Sequence, residues 1–430
     1  MSAMPVASPV REHELRPVEP AAGGGGPAAG LPGATGATAT AVVADPAGLV
    51  AAEQQPVWAD ASRAAAVRDE LTVRPGLVGF EEVQMLRLLM AGAAAGTYQV
   101  VQAGDCAEDP AECGPLAVNR KIGLIDALAG VMKVNTGLPV IRIGRIAGQF
   151  AKPRSSPTEV VDGRELPVYR GHLVNGPGAT VEERRADAER MLACYDAANR
   201  ATSLLRQRMG AWMPPTGAPV WTSHEALVLD YERSLLRRAE GGERYLASTH
   251  LPWIGERTRS LEGSHVRLLS SVANPVACKV GPSMGAAELV ELCARLDPGR
   301  EPGRLTLIAR MGASVVSARL PALVEAVAEA GHPVAWLCDP MHGNTIKTPG
   351  GLKTRSVQTV IEEVVGFQQA VTQAGGVAAG LHLESTPDDV TECVWSEAQT
   401  GDVPTRYTTL CDPRLNPRQA IAVAGAWSAL

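Results

Sequence analysis

The chain has 430 residues, 45% of them apolar, a formal net charge of -6 and eight cysteines, with a mean hydropathy near zero. That is room for one large domain or for two to three ordinary ones, and the acidic balance argues against general nucleic-acid binding. No apolar run reaches the roughly 18 residues of a membrane span and no charged-then-apolar leader opens the chain. The scattered cysteines form no C-x-x-C pair, which predicts reduced thiols in a cytoplasm.

Residues 1–52 are rich in Ala, Gly and Pro, including Gly23 to Gly26 in a row, and read as a disordered tail. Order is expected to begin near Gln54-Gln55-Pro56-Val57-Trp58. Residues 53–97 predict a helical extension packed outside the main domain, with helices over 60–71 and 80–95. The second carries apolar spacing at Val83, Leu86, Leu89 and Met90. From 98 to 430 an alternation sets in. Short apolar runs fall at Tyr98–Gln102, Pro139–Ile143, Ala218–Thr222, Tyr245–Ser248, Val276–Val280, Leu305–Ala309, Val334–Cys338 and Val377–Leu383. Helical stretches are expected over 115–135, 181–209, 223–239, 257–272, 284–297, 314–330, 355–374 and 416–428. Eight strand-then-helix units predict an α/β fold, a (β/α)8 TIM barrel. A doubly wound open sheet is the runner-up, but only Gly104 stands where its glycine fingerprint would follow the first strand.

In such a barrel the chemistry lies at the carboxyl ends of the strands. Those ends carry Asp105, Cys106 and Glu108, then Arg145 and Lys152-Pro153-Arg154-Ser155, then His224 and Glu225. The fourth is followed by His250, Trp253, Glu256 and Arg257. Lys279, Arg310 and His342 follow, then Glu384 with Asp412 and Arg414 beyond it. Two sets separate from this series. Cys106, His342, Glu384 and Asp412 combine a thiol, an imidazole and two carboxylates, which suits a divalent transition metal and not Ca²⁺ or Mg²⁺. Against that stands a plainer reading, in which Cys106 is a small buried hydrophobe and the acids are solvated. Arg145, Lys152, Arg154, Arg257, Lys279 and Arg310 would make a positive field for phosphate or carboxylate, unless they pair locally with loop acids. Metal plus two anion pockets suggests joining two phosphorylated or carboxylated molecules, a carbonyl being polarised by the metal.

Longer motifs then resemble a known family. They are Q-A-G-D-C-A-E (102–108), G-R-I-A-G-Q-F-A-K-P-R-S-S-P-T-E (144–159), S-H-E-A-L-V-L-D-Y-E (223–232) and S-T-H-L-P-W-I-G-E-R-T-R (248–259). To these add N-P-V-A-C-K-V-G-P (274–282), D-P-M-H-G-N-T (339–345), G-L-H-L-E (380–384) and C-D-P-R-L-N-P (411–417). From about Gln54 onward the chain resembles the type II 3-deoxy-D-arabino-heptulosonate 7-phosphate (DAHP) synthases. The resemblance implies condensation of phosphoenolpyruvate (PEP) with erythrose 4-phosphate, the first step of the shikimate pathway. It implies Cys106, His342, Glu384 and Asp412 as ligands of a divalent metal, Mn²⁺ or Co²⁺ in first place. It implies Arg145, Glu256, Arg257, Lys279 and Arg310 on PEP, and Lys152, Pro153, Arg154 and Ser155 on erythrose 4-phosphate. Lys279, Glu256 and His342 are the expected catalytic groups, Glu256 as the orienter of water. A homo-oligomer, dimer or tetramer, is expected, with no nucleic acid and no membrane as partner.

Two departures stand out. Ala103 occupies a position where the family commonly has Gly. Only 46 residues separate Gly176 from Ser223, where the longer, feedback-regulated members carry an inserted helical pair. The chain therefore resembles the short form found beside phenazine and other secondary-metabolite genes, and insensitivity to aromatic amino acids is expected. An aminated tetrose phosphate as substrate, and a Schiff-base aldolase built on Lys279, are the alternatives. Cys411, next to Asp412, is expected on a loop facing Cys106.

Overall fold

The computed structural model describes residues 52–209 and 218–429. Apart from Ala52, the expected N-terminal tail lies outside them. Eight parallel strands close into a barrel: β1 Gln99–Gly104, β2 Val140–Arg145, β3 Val220–Glu225, β4 Leu251–Ile254, β5 Val276–Val280, β6 Leu305–Ala309, β7 Ala335–Cys338 and β8 Ala378–Glu384. Each pairs with its sequence neighbours, and β8 closes on β1 with Gly104 opposite Glu384. No helix among the described residues is long and apolar enough to cross a membrane.

Among the described residues ten α-helices accompany the strands: α1 Ala61–Val73, α2 Phe80–Ala94, α3 Pro115–Thr136, α4 Glu189–Met209, α5 Leu229–Ser234, α6 Ser264–Ser270, α7 Ala286–Leu296, α8 Val316–Glu329, α9 Val357–Gln373 and α10 Pro417–Gly425. Their ends follow local chemistry. Proline opens α3, and Gly137 ends it in a left-handed cap at φ +73°. The Asn416 side chain accepts from the Gln419 N–H to start α10.

The apolar interior is divided. One cluster fills the shell between strands and outer helices. A second occupies the barrel itself, where Leu86, Met90 and Ala93 of α2 meet inward residues such as Ile143, Trp221, Trp253, Ile308 and Leu337. The extension expected outside the main domain therefore stoppers the amino-terminal end of the barrel. Leu86 and Met90 are fully buried, and each contributes roughly 1.5–3 kcal/mol by leaving water.

The fourth strand differs from the sequence reading. Tyr245–Ser248 is not the barrel strand; Arg244–Leu246 pairs antiparallel with Leu236–Arg238 in a side hairpin. The barrel strand is Leu251–Ile254. Both runs are short and apolar, and Pro252 makes the true strand look broken. One consequence concerns His250, expected at the mouth. It precedes β4 and lies at the floor, its Nδ1 2.8 Å from Thr222 Oγ1 and its Nε2 3.8 Å from Glu82 of α2. The expected helix 223–239 is likewise replaced by the end of β3, the single turn and a half of α5, and the first strand of that hairpin.

Candidate active site

Every strand delivers a polar residue to one end of the barrel. Cys106 follows β1, Arg145 ends β2, Glu225 ends β3, Glu256 follows β4, Lys279 lies in β5, Arg310 follows β6, His342 follows β7 and Glu384 ends β8. A cavity of about 380 Å³ opens there. Its walls include all nine residues expected on the two phosphorylated substrates, together with His342 and Asp412.

The register places these groups. Gly104 sits opposite Arg145 on one side and Glu384 on the other. A Cβ at Gly104, whose φ is +148°, would come within 2.9 Å of the Arg145 carbonyl, so only glycine fits. The departure at Ala103 is harmless for the same reason: the left-handed demand falls one residue later. Glu108, buried below the mouth, accepts hydrogen bonds from the backbone N–H groups of Ala147, Gly148 and Gln149. That pins the left-handed turn at Ala147 (φ +65°), from which the loop to Lys152 departs.

Ligand atoms of Cys106, Glu384 and Asp412 lie within 4.8 Å of one another. His342 joins them, its Nε2 3.1 Å from Glu384 Oε1. The other ring nitrogen, Nδ1, faces Asp339 Oδ2 at 2.8 Å. That carboxylate fixes the ring so that Nε2 is the nitrogen turned toward the cluster, the arrangement that orients metal-binding histidines. The donor set already attracts positive charge. Lys152 Nζ stands among the donors, 2.7 Å from Cys106 Sγ, 3.1 Å from Glu384 Oε1 and 2.9 Å from Asp412 Oδ2. The three clustered donors Cys106, Glu384 and Asp412 fit a metal ion, with the ammonium standing in for its charge, and His342 stands beside Glu384. Lys152 thus faces the donor cluster, where the sequence reading set it only with the sugar phosphate.

Electrostatics keep the carboxylates ionised. Burial alone would raise the Glu384 carboxyl, but His342, Lys152 and Arg355 outweigh it and hold it well below the usual carboxylate range. Asp412 is held down in the same way, burial and Glu384 opposing and Lys152 and Arg355 prevailing. Burial, the Cys411 thiol and Glu384 push the Cys106 thiol well up, with Lys152 opposing. Metal ligation needs the thiolate. The Cys411 side chain contacts Cys106, as expected of facing loops.

The cationic set is distributed around the cavity. Arg145 Nη2 reaches Glu384 Oε1 at 3.2 Å, and its guanidinium lies 5.2 Å from the Trp253 ring centre. Arg257 Nη2 donates to Ser155 Oγ at 2.7 Å, joining the two expected substrate sets. Arg310 Nη2 donates to the His342 carbonyl at 3.3 Å. Lys279 Nζ lies 2.5 Å from Asp339 Oδ2. Burial first, then Arg145, draws the Lys279 ammonium down to about 8 despite Asp339. Glu256 is engaged by Arg259 at 2.9 Å, which turns Oε1 away from a purely water-facing role.

Lys279 predicts a pH dependence. Its charged form is the one expected to bind an anion, and it loses its proton as pH rises through about 8. We expect kcat/KM for the anionic substrate to fall above that pH, since this ratio reports the free enzyme. Stability moves the other way. Between about 8 and the ordinary 10.5 the unfolded chain holds a proton that the folded chain lacks, so this group favours folding as pH rises. A kcat/KM profile flat from pH 7 to about 9.5 would contradict the assignment.

Several residues of the site escaped the sequence reading. Asp339 stands in the sequence only as part of the D-P-M-H-G-N-T run, yet it bridges Lys279 and His342. His382 sits between Gln102 Oε1 at 2.7 Å and Arg145 Nη1 at 2.6 Å, fully buried. Arg355, also fully buried, lies 2.9 Å from Glu384 Oε2, close enough for an ion pair though not aligned for a hydrogen bond. Lys353 Nζ reaches Asp412 Oδ1 at 2.8 Å. Glu225 was noted at its strand end without a role; its Oε1 is buried at the cavity with no hydrogen-bond partner, and burial raises its carboxyl. The D-P-M-H and H-L-E runs were the available signals for Asp339 and His382. Arg355, preceding α9, left none.

The model of the class-II DAHP synthetase family matches residues 48–213 and 215–428. A probable phospho-2-dehydro-3-deoxyheptonate aldolase of Pseudomonas fluorescens is 54% identical over 382 residues, covering 87% of this chain and 94% of its own length. The phospho-2-dehydro-3-deoxyheptonate aldolase of Streptomyces coelicolor is 39% identical over 421 residues, at the same two coverages. Among solved structures, the phospho-2-dehydro-3-deoxyheptonate aldolase of Francisella tularensis covers 88% of this chain and all of its own. It does so at 12% identity with a TM-score of 0.51, a likeness of fold alone. With the family model spanning nearly all of the described residues, the chain belongs to the class-II DAHP synthetase family.

Proposed function

We propose that this enzyme condenses PEP with D-erythrose 4-phosphate and water to give DAHP and phosphate. The observation that carries the reading is a single cationic cavity whose wall includes His342 and Asp412, with the buried donors Cys106 and Glu384 directly behind it. Cys106, His342, Glu384 and Asp412 would hold a divalent ion, Mn²⁺ or Co²⁺. When bound, the ion supplies Lewis-acid polarisation of the tetrose aldehyde. Arg145, Arg257, Lys279 and Arg310 clamp PEP by its phosphate and carboxylate, and hold its C3 toward that aldehyde. Lys152, Pro153, Arg154 and Ser155 take the tetrose phosphate. Water captures the cationic character left at C2. Glu256 is the assigned orienter of this water, and Glu225, at the end of the neighbouring strand β3 and against Gly255, stands beside it with an unengaged carboxyl oxygen. The test is phosphate release from PEP with and without erythrose 4-phosphate, after chelation and metal add-back. Release independent of the tetrose would refute the reading.

A second reading draws support from the depressed Lys279 ammonium, a property of Schiff-base lysines. Borohydride with substrate would trap a covalent adduct in that case, and none in the metal-dependent one. The aminated tetrose phosphate is separated by comparing kcat/KM for the two sugars.

The short 177–222 segment supports supply of secondary metabolism without aromatic feedback. The Streptomyces alignment runs over 421 positions and the Pseudomonas alignment over 382 for the same share of this chain. The former relative therefore carries residues that this chain lacks. Feedback needs a second site with different affinity for two states. We expect Phe, Tyr or Trp at about 0.2 mM to leave the rate within a factor of about two, against the 5–150-fold typical of allosteric coupling. A several-fold loss with any of the three would overturn this.

A further inference from the structure

The segment before α1 lies against the loops that follow β2 and β3. Gln54 adopts a left-handed backbone at φ +59°, a conformation that a residue with a side chain holds only when its surroundings over-determine it. The surroundings are on view. Gln54 Oε1 accepts a hydrogen bond from the Arg154 backbone N–H at 2.9 Å. The main-chain carbonyls of Gln54 and Gln55 accept from the two terminal nitrogens of Arg170. The Arg170 carbonyl in turn accepts from the Lys152 N–H at 2.9 Å. The Gln55 carboxamide clasps the loop after β3, donating to the Leu227 carbonyl and accepting from the Leu229 N–H, both at 2.9 Å. Trp58 Nε1 then ties to Asp230 Oδ2 at 2.6 Å.

We infer that Gln54 and Gln55 form a clip that positions the Lys152–Ser155 loop for the tetrose phosphate. They are positioning residues, since they reach the substrate only through Arg154 and Lys152. Both ends of the loop answer to the clip, Arg154 directly and Lys152 through Arg170. The same clip fixes the loop that follows Glu225, so two walls of the cavity are set from one point. Arg154 gains a second restraint at its head, where Nη2 meets Glu159 Oε2 at 2.9 Å. Backbone and guanidinium are thus fixed by different parts of the chain, a preorganisation that lowers the ordering cost of binding. The inference rests on the proposal that this loop binds erythrose 4-phosphate, and the test separates the two.

Three variants of the full chain, metal-loaded, decide the matter. Gln54→Gly keeps the left-handed backbone without strain and removes only the side-chain acceptor. It should raise KM for erythrose 4-phosphate about five-fold, the scale of one net hydrogen bond. In that variant kcat and KM for PEP should stay within about two-fold and the melting temperature should not fall, because the left-handed strain is relieved. Gln54→Glu retains an acceptor oxygen and should restore a near wild-type KM. Arg154→Ala should raise the same KM by more than Gln54→Gly does. If Arg154→Ala raises it and Gln54→Gly does not, the clip has no positioning role and the phosphate site stands. If Arg154→Ala leaves it unchanged, the phosphate site itself is wrong and the inference falls with it. Equal losses in all kinetic constants with a lowered melting temperature would show a merely structural contact and would also overturn the clip.

Discussion

Chelation of the purified enzyme should abolish phosphate release, and Mn²⁺ or Co²⁺ should restore it. The size of the effect follows from the donor cluster. Glu384 and Asp412 are ionised, Cys106 becomes a ligand only as a thiolate, and His342 presents Nε2 because Asp339 holds Nδ1. Without the ion, nothing else at the cavity supplies a divalent charge to a carbonyl. Lys152 neutralises part of the cluster with a single charge and cannot act as a Lewis acid. Loss should therefore exceed about a thousand-fold, the scale of removing electrostatic stabilisation from a desolvated site. Affinity should also fall as pH is lowered, because ligation needs the Cys106 thiolate and burial favours the protonated thiol. Full turnover in a rigorously metal-free preparation would remove the basis of the mechanism.

Replacing Arg355 by Met should be the most damaging change outside the proposed ligands. The side chain is wholly buried. It faces Glu384 Oε2 at 2.9 Å, donates from Nε to Thr345 Oγ1 at 3.1 Å, and donates from Nη1 to the Pro413 carbonyl. It thus secures Glu384 and the loop bearing Asp412 together. Breaking a buried pair by removing one partner costs about 3–5 kcal/mol. Lys152, Arg145 and His342 still compensate Glu384, so we expect about 3 kcal/mol by denaturant unfolding, at the lower end of that range. Metal affinity should weaken by about ten- to a hundred-fold, as for other residues that orient ligands. A variant within about 1 kcal/mol of the parent and with unchanged metal affinity would show that the pair is dispensable.

How far the sequence reveals this site depends on where each group lies. The strand ends were legible because a buried parallel strand is a short apolar run that stops abruptly, and Val276–Val280 and Leu305–Ala309 match in full. Cys106, His342 and Glu384 stood out as reactive side chains soon after such runs, and Asp412 on the loop beyond the last of them. The fourth strand was misplaced because two apolar runs lie close together and the true one contains Pro252. Asp339, His382 and Arg355 were harder to see. They act through partners distant in sequence, and a buried ion pair has no local pattern to announce it. The bridging of Glu384 by Lys152 was invisible for the same reason, since it joins residues 232 positions apart.

Closure of the barrel has a consequence for synthesis. Strand β1 is made early, and its partner β8 lies about 280 residues downstream, as the Gln102–His382 contact shows. On the ribosome β1 waits with one edge unpaired through the whole of that interval, and such edges invite wrong pairing. Meanwhile α2, made just before β1, has nothing to stopper. The last strand to arrive brings Glu384, and Asp412 emerges only after it. On the proposed ligand set, metal binding therefore waits for nearly the whole chain: one ending before residue 384 lacks the complete barrel seam, and one ending before residue 412 still lacks a donor. Slow folding, with a rate set by this distant pairing, is the kinetic signature that the closed ring imposes on the chain.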